Sequence, residues 1–287
     1  MSAPANFRDL VIAERLGQGR RTEWVKNVNQ VTTTGLWFDI SGSSGNPKAK
    51  QWFDASPLVA QQVKQSTDGG IYHGAPVTPA TKYMRSLRLG CASATPLPLE
   101  LILCDYLLYY PSIDDGEPAA QTMDNTLTLP RYTDGEGVEM MAVTISARTG
   151  GQTFSVSYTN SAGVAGRTSG TVTQNAGAAP GTITTASTAT SSGGNPFIPL
   201  QAGDTGVRSV ESITMNGPDT GFFALVLVRP LCSSIIRGLD AVYEKDLLVY
   251  SGELPRIYDD AFLSALVRPN GSLSGLAIRG NIQTVWS

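Results

Sequence analysis

LPLELILCDYLLYY, residues 97–110, packs aliphatic and aromatic side chains so densely that it must be buried on most sides. Proline fixes its own φ and donates no backbone N–H, so Pro96, Pro98 and Pro111 around this stretch favour a strand over a long helix. The pattern continues downstream in shorter pieces. VEMMAVTIS (138–146) comes first, then TFSVSYT (153–159), with Phe154, Val156 and Tyr158 alternating inward. TSGTVTQ (168–174) and GTITTAST (181–188) follow, then VRSVESITM (207–215), FFALVLV (222–228), DLLVY (246–250), AFLSALV (261–267) and LAIRGNIQTVW (276–286). A period of two with turn formers between segments is the mark of an antiparallel sheet with one wet face. The chain therefore reads as mainly β, an antiparallel β-sandwich or jelly-roll-like core with a few short helices. No regular internal repeat supports a solenoid or a propeller.

Upstream of the apolar run, Asn6 can cap a short helix whose apolar residues Phe7, Leu10 and Val11 lie three and four apart, with Gly17 and Gly19 to stop it. RRTEWVKNVNQVTTTGLWFDI (20–40) is β-branched and aromatic, anchored by Trp24, Trp37 and Phe38, and SGSSGNP (41–47) reads as a loop. Asp54 or Ser56 before Pro57 predicts a helix over PLVAQQVKQ (57–65), ended at the latest by Gly69 and Gly70. GAPVTPAT (74–81) holds too much proline for a central strand. These signals divide the chain into an N-terminal arm or short helix (1–30) and a β-rich body (31–287). Within the body, residues 159–195 are a Gly/Ser/Thr-rich β-excursion expected to add little to the core.

With 287 residues and 41% hydrophobic content, the chain can bury a core as one large domain or two modest ones. Its 21 basic and 24 acidic residues give a net charge of -3, and the basic ones are scattered singly or in pairs, so nucleic-acid binding has no electrostatic footprint. Cys91, Cys104 and Cys232 lie far apart and are odd in number, which points to a reduced compartment. MSAPANFRDLVIAERLG (1–17) is polar and charged within its first ten residues, and no apolar stretch elsewhere is long enough to span a bilayer. A soluble protein made in the cytoplasm is expected.

The search for chemistry finds no catalytic, cofactor-binding or metal-ligating residue to nominate. His73 is the single histidine, so two-histidine metal sites are excluded. Its setting in GGIYHGAP (69–76) lacks the strand–turn–helix context of a nucleophile elbow, and a solvated or locally hydrogen-bonded loop histidine is expected. Three carboxylate clusters, Asp114/Asp115/Glu117, Asp134/Glu136/Glu139 and Asp259/Asp260, can in principle serve a glycosidase or hold a cation. Each sits beside Gly or Pro in a turn, where acidic residues bind the local backbone. Arg20 and Arg21 near Trp24 are too few for a phosphate-tracking groove, and Gly17-Gln18-Gly19 lacks the rest of a dinucleotide loop. Asn270-Gly271-Ser272 reads as a turn.

Three stretches carry a resemblance: LCDYLLYYPSID (103–114), LPRYTDGEGVEMMAV (129–143), and IPLQAGDTGVRSVESITM (198–215) with its sequel FFALVLVRPL (222–231). Together they resemble a family of virion structural proteins of tailed bacteriophages, and the likeness runs from GLWFDISGSSG (35–45) to the terminal VW (285–286). The resemblance implies a non-enzymatic role without cofactors, first as a capsid-decorating (cement) protein on the outside of the shell, otherwise as a neck or tail component. It implies as partners further copies of the chain, as a trimer or dimer, and the major capsid protein or other virion proteins, with no specific nucleic acid and no membrane. The place implied is the virion, after synthesis in the host cytoplasm. Residues 1–30 are then an extension to a neighbour, and 159–195 a projection or second contact.

Two other classes make different demands. A virion-borne hydrolase needs one of Asp114, Asp134 or Asp259 for turnover. A receptor- or carbohydrate-binding module needs clustered exposed aromatics, for which Trp37, Trp52 and Phe53 are the candidates.

Overall fold

The fold is a computed structural model that describes residues 4, 6–175, 179–184, 194–239, 242–252 and 254–287. Helix α1 (Phe7–Arg15) starts where Asn6 accepts a hydrogen bond from the Asp9 N–H at 3.1 Å, the cap expected from the sequence. Strands β1 (Gly19–Val28), β2 (Phe38–Asp39), β3 (Ser44–Asn46) and β4 (Gln61–Gln62) follow, with a 3-10 turn (Ile40–Gly42) after β2. Next come α2 (Gln65–Asp68), β5 (Lys82–Cys91) and the long β6 (Leu99–Asp114). The middle of the chain supplies β7 (Gln121–Thr122), β8 (Glu139–Thr144), β9 (Thr153–Asn160), β10 (Arg167–Thr168), β11 (Val172–Thr173) and β12 (Ile183–Thr184). The last part holds β13 (Val207–Met215), β14 (Phe222–Ile236), β15 (Tyr243–Asp246), α3 (Leu247–Ser251), β16 (Arg256–Ile257), β17 (Phe262–Pro269) and β18 (Leu276–Trp286).

Every strand pairing within the three sheets is antiparallel. The first sheet runs β15-β5-β18-β1-β3, the second β10-β9-β13-β7, and the central one β12-β8-β14-β6-β17-β2. The fold is thus mainly β and sandwich-like. β6 and β14 pair along almost their whole lengths and are long enough to serve two cores. Leu99, Leu101 and Leu103 of β6 pack with Trp24, Leu87, Leu89, Ile278 and Ile282 of the first sheet. Further along, Leu107, Leu108, Tyr110 and Ile113 pack with Phe154, Val156, Tyr158, Val210 and Ile213 of the second. A bulge in the β6–β14 register, where Leu227 faces Leu108 and Val228 faces Tyr106, leaves Leu107 as the extra residue. That extra residue sets Leu107 and Leu108 into the same core.

The opposite face of the central sheet carries a third, aromatic cluster of Trp37, Trp52, Tyr106, Tyr109, Phe197 and Phe262. Trp52 stacks on Tyr106 with centroids 5.4 Å apart and planes 7° apart. Such contacts add ~1 kcal/mol beyond the area they bury.

Five expectations are corrected. The helix over 57–65 does not form: Ala60 N–H bonds to Asp124, Val63 N–H bonds to Leu107, and β4 pairs with β6, so tertiary pairing overrides the Pro57 start signal. The 41–47 loop contains β3, which lies so close to β1 that a Cβ on Gly45, at φ 132°, would stand 2.2 Å from the Val25 carbonyl oxygen. Residues 19–28 are no arm: β1 pairs with β18 along ten residues and buries Trp24 and Val28. In the 159–195 stretch, Val172 and Ile183 are fully buried and Gln174 and Asn175 nearly so, although residues 176–178 and 185–193 lie outside the described part. DLLVY is the N-cap and first turn of α3, because the Asp246 carboxylate accepts from the Leu248 and Val249 N–H groups.

Candidate functional site

His73 is buried rather than solvated, and its partners come from distant segments. Its Nε2 lies 2.9 Å from the Ala261 carbonyl, which only accepts, so Nε2 carries the proton. Nδ1 then accepts from Lys82 Nζ at 3.2 Å. Lys82 also donates to the Ala75 carbonyl at 3.0 Å and lies 3.4 Å from Asp259. Burial, with the neighbouring Lys82 charge, lowers the His73 pKa to about 4. Burial also lowers the Lys82 pKa, against the pull of Asp259. Burial would raise Asp259, but bonds from Thr78, Val77 and Lys82 outweigh it and hold its carboxyl below the ordinary value. This centre ties the 73–75 segment and the 259–261 turn to β5.

The carboxylate clusters do not converge on one another. Asp114 accepts from Gly116 N–H, Glu117 from Ala119 N–H, and Asp134 from Glu136 N–H, each across a tight turn. Asp260 accepts from the backbone and hydroxyl of Ser66. Asp115 departs from the turn reading: it is fully buried, 3.7 Å from Arg148, and accepts from Gln174 at 2.5 Å. Glu139 is raised by burial, with Arg229 opposing. Among the described residues, no group of three or more His, Cys, Asp or Glu side chains is placed to hold a metal ion.

Other buried polar groups also brace the fold. Asp39 accepts from the Ser41 N–H and hydroxyl, from Trp52 Nε1 at 2.6 Å and from the Tyr106 hydroxyl at 2.8 Å. Lys26 donates to the carbonyls of Ser41, Ser43 and Lys48, and burial lowers its pKa to about 8. All three cysteines are free, and burial raises the Cys232 thiol to about 12.

The aromatic trio is split. Trp37 and Trp52 are buried, and Phe53 alone of the three is exposed. Beside Trp37 the central sheet opens into a groove of about 630 Å³. Its lining includes Glu100 and Arg268, paired at 2.7 Å, together with Ile235 and Arg237. Arg268 also lies over the Trp37 ring. The Glu100–Arg268 pair matches two of the charges in this groove, and Arg237 adds a further positive one.

What the molecule does present is apolar surface on its helices. Leu10 and Ala13 seat α1 against the first sheet, while Phe7, Val11, Ile12 and Leu16 remain exposed. Val249 and Tyr250 of α3 are exposed as well. Arg85 of β5 pairs with both Glu14 of α1 and Asp246 at the start of α3, so one guanidinium fastens both helices to the sheet. The sequence signalled α1 but not this fastening, because Glu14, Arg85 and Asp246 come from three distant segments. Lys82 had one legible signal, a charge at an inward position of β5 in step with Met84.

No family model matches this chain, and no curated protein matches it. Two solved structures superpose on it loosely. One, described as the structure of infectious bursal disease virus Gt strain, is 10% identical over 93% of this chain and 80% of that chain, with a TM-score of 0.20. Another, the crystal structure of infectious bursal disease virus VP2 subviral particle, is 10% identical over 94% and 80%, with a TM-score of 0.18. Superpositions of this kind carry no argument about fold or role. Among the described residues no helix is long and apolar enough to cross a membrane.

Proposed function

We propose that this chain is a non-enzymatic structural protein of a tailed-phage virion, and specifically a capsid-decorating protein that binds the outer shell and stabilises it. The observation that carries the proposal is the set of large apolar side chains left in water on α1 and α3, two helices fastened to the first sheet by the Arg85 ion pairs. Exposed apolar side chains of this size are surface that contact with another protein would cover. The resemblance of residues 103–114, 129–143 and 198–231 to phage virion proteins supports the same reading. So does the use of the carboxylates, which bind their own turns or brace the interior. The partners are further copies of the chain and the major capsid protein or another virion protein.

Quantifying the chain in purified virions tests this. A copy number equal to that of the major capsid protein, or a simple fraction of it, is expected of decoration. A single ring of copies moves the protein to the neck or tail. Absence from the particle contradicts the proposal.

A further inference from the structure

The outward face of α1 carries a pattern of charge as well as of apolar surface. Successive residues of a helix are set about 100° apart around its axis. Leu10 and Ala13 are buried and mark the seated side. Around the opposite side run Phe7 and Val11, then Arg15 and Arg8, then Ile12 and the cap residue Leu16, all exposed. Two arginines, two helical turns apart on one line, therefore divide two apolar pairs, each pair made of residues four apart. The acids of the helix stand elsewhere: Glu14 is engaged by Arg85 and Gln283, and Asp9 is half-buried toward the seated side.

Neither arginine is used within the fold. Arg8 and Arg15 form no hydrogen bond or ion pair with a described residue. Helix stability does not account for Arg8 either, because it lies in the first turn, where the helix dipole opposes a positive charge. A surface that covers this face must bury two guanidiniums in the middle of apolar contact, and each then needs an acceptor. A second α1 offers none: set antiparallel, it brings its Arg15 to Arg8, and set parallel it brings each arginine to its own copy. A bilayer suits a helix whose apolar face is unbroken, with cations on the opposite face and along the borders. Here the cations run down the middle.

We propose that the outward face of α1 docks on a partner protein whose surface sets carboxylates between two apolar hollows. Arg8 and Arg15 pair with the carboxylates, while Phe7 with Val11 and Ile12 with Leu16 fill the hollows. The inference deepens the virion reading and rests on it, naming the chemistry of the surface that α1 meets.

Cosedimentation of the full chain with phage particles lacking it, at low and at high salt, tests the docking with wild type, Arg8→Glu, the double variant Arg8→Glu/Arg15→Glu, and Arg21→Glu, which makes the same charge change at an exposed position of β1. Glutamate in the first turn suits the helix dipole, so Arg8→Glu removes the contact without weakening α1. Arg8→Glu is expected to weaken binding and the double variant to raise the dissociation constant about tenfold or more, with Arg21→Glu close to wild type. High salt should weaken the wild type more than the double variant. Unchanged circular dichroism shows that each variant is folded. Binding that the α1 variants leave intact, or that Arg21→Glu weakens equally, overturns docking through α1 and leaves the virion reading standing. Vesicles containing phosphatidylserine are expected to bind none of these chains; wild-type binding that Arg8→Glu abolishes makes the occupant a membrane and overturns the proposal. A folded wild type that binds no particle at any concentration overturns both the docking and the virion reading.

Discussion

Asp105 and Arg131 form a two-pronged ion pair, Oδ2 to Nε at 2.9 Å and Oδ1 to Nη2 at 2.7 Å, at the seam between the two cores of the central sheet. Leu103 on one side belongs to the first core and Leu107 on the other to the second. Arg131 Nη2 also donates to the carbonyls of Val63 and Tyr106, and Asp105 accepts from Phe262 N–H, so one pair joins four segments. Burial raises the Asp105 pKa to about 6 against the pull of Arg131.

Breaking that pair strands a buried charge. Arg131→Ala is expected to lower the unfolding free energy by about 3–5 kcal/mol in urea titration at neutral pH. A loss below about 1 kcal/mol would show that the seam holds without it.

The His73 centre makes stability depend on pH. The imidazole titrates at about 4 in the fold against an ordinary 6.5. Between those values the unfolded chain binds the proton and the fold does not, so the His73 contribution falls as pH drops from 6.5 toward 4, by about 3 kcal/mol in all. Asp105, with its raised pKa, acts in the opposite sense. The measurement is therefore the difference between wild type and His73→Gln in urea unfolding at pH 7 and pH 4.5. The variant should lose less stability on acidification, and equal losses would contradict the assigned tautomer and burial.

Gly280 lies in β18 between β1 and β5, where an added Cβ would stand 2.4 Å from the Arg88 carbonyl oxygen and 2.9 Å from the Trp24 ring. Overpacking of this kind costs about 1–3 kcal/mol. Gly280→Ala should therefore lower the thermal midpoint and change the Trp24 fluorescence environment. An unchanged midpoint would mean that the sheet and Trp24 can separate at little cost.

The carboxylates divide by role. Asp114→Asn, half-buried at the end of β6, and Asp134→Asn, at an exposed turn, should leave stability and particle binding within about 0.5 kcal/mol of wild type. Asp39→Ala leaves the Trp52, Tyr106 and Ser41 donors buried without an acceptor and should cost more than about 3 kcal/mol. Equal effects in thermal unfolding would refute this division.

The β-rich class was legible because its signals are local. Phe154, Val156 and Tyr158 alternate in sequence and all three are buried, and the run through Tyr110 forms the middle of the fold. Asn6 capped its helix for the same reason. What was not legible depends on partners far along the chain. The 57–65 segment has the turn and spacing of a helix, yet β6 claims its backbone. His73 reads as a loop residue until Ala261, 188 positions away, meets its ring. Trp37 and Trp52 have the side chains of a binding platform, and their burial follows from the segments that cover the central sheet. The apolar face of α1 was visible as a spacing, but its fastening through Arg85 was not.

Cosedimentation of the purified chain with phage particles lacking it measures assembly directly. Wild-type chain is predicted to saturate the particles at a fixed stoichiometry, and the same chain with Phe7→Ser and Tyr250→Ser, still folded, to bind more weakly. A folded wild-type chain that stays in the supernatant at every concentration would contradict the account.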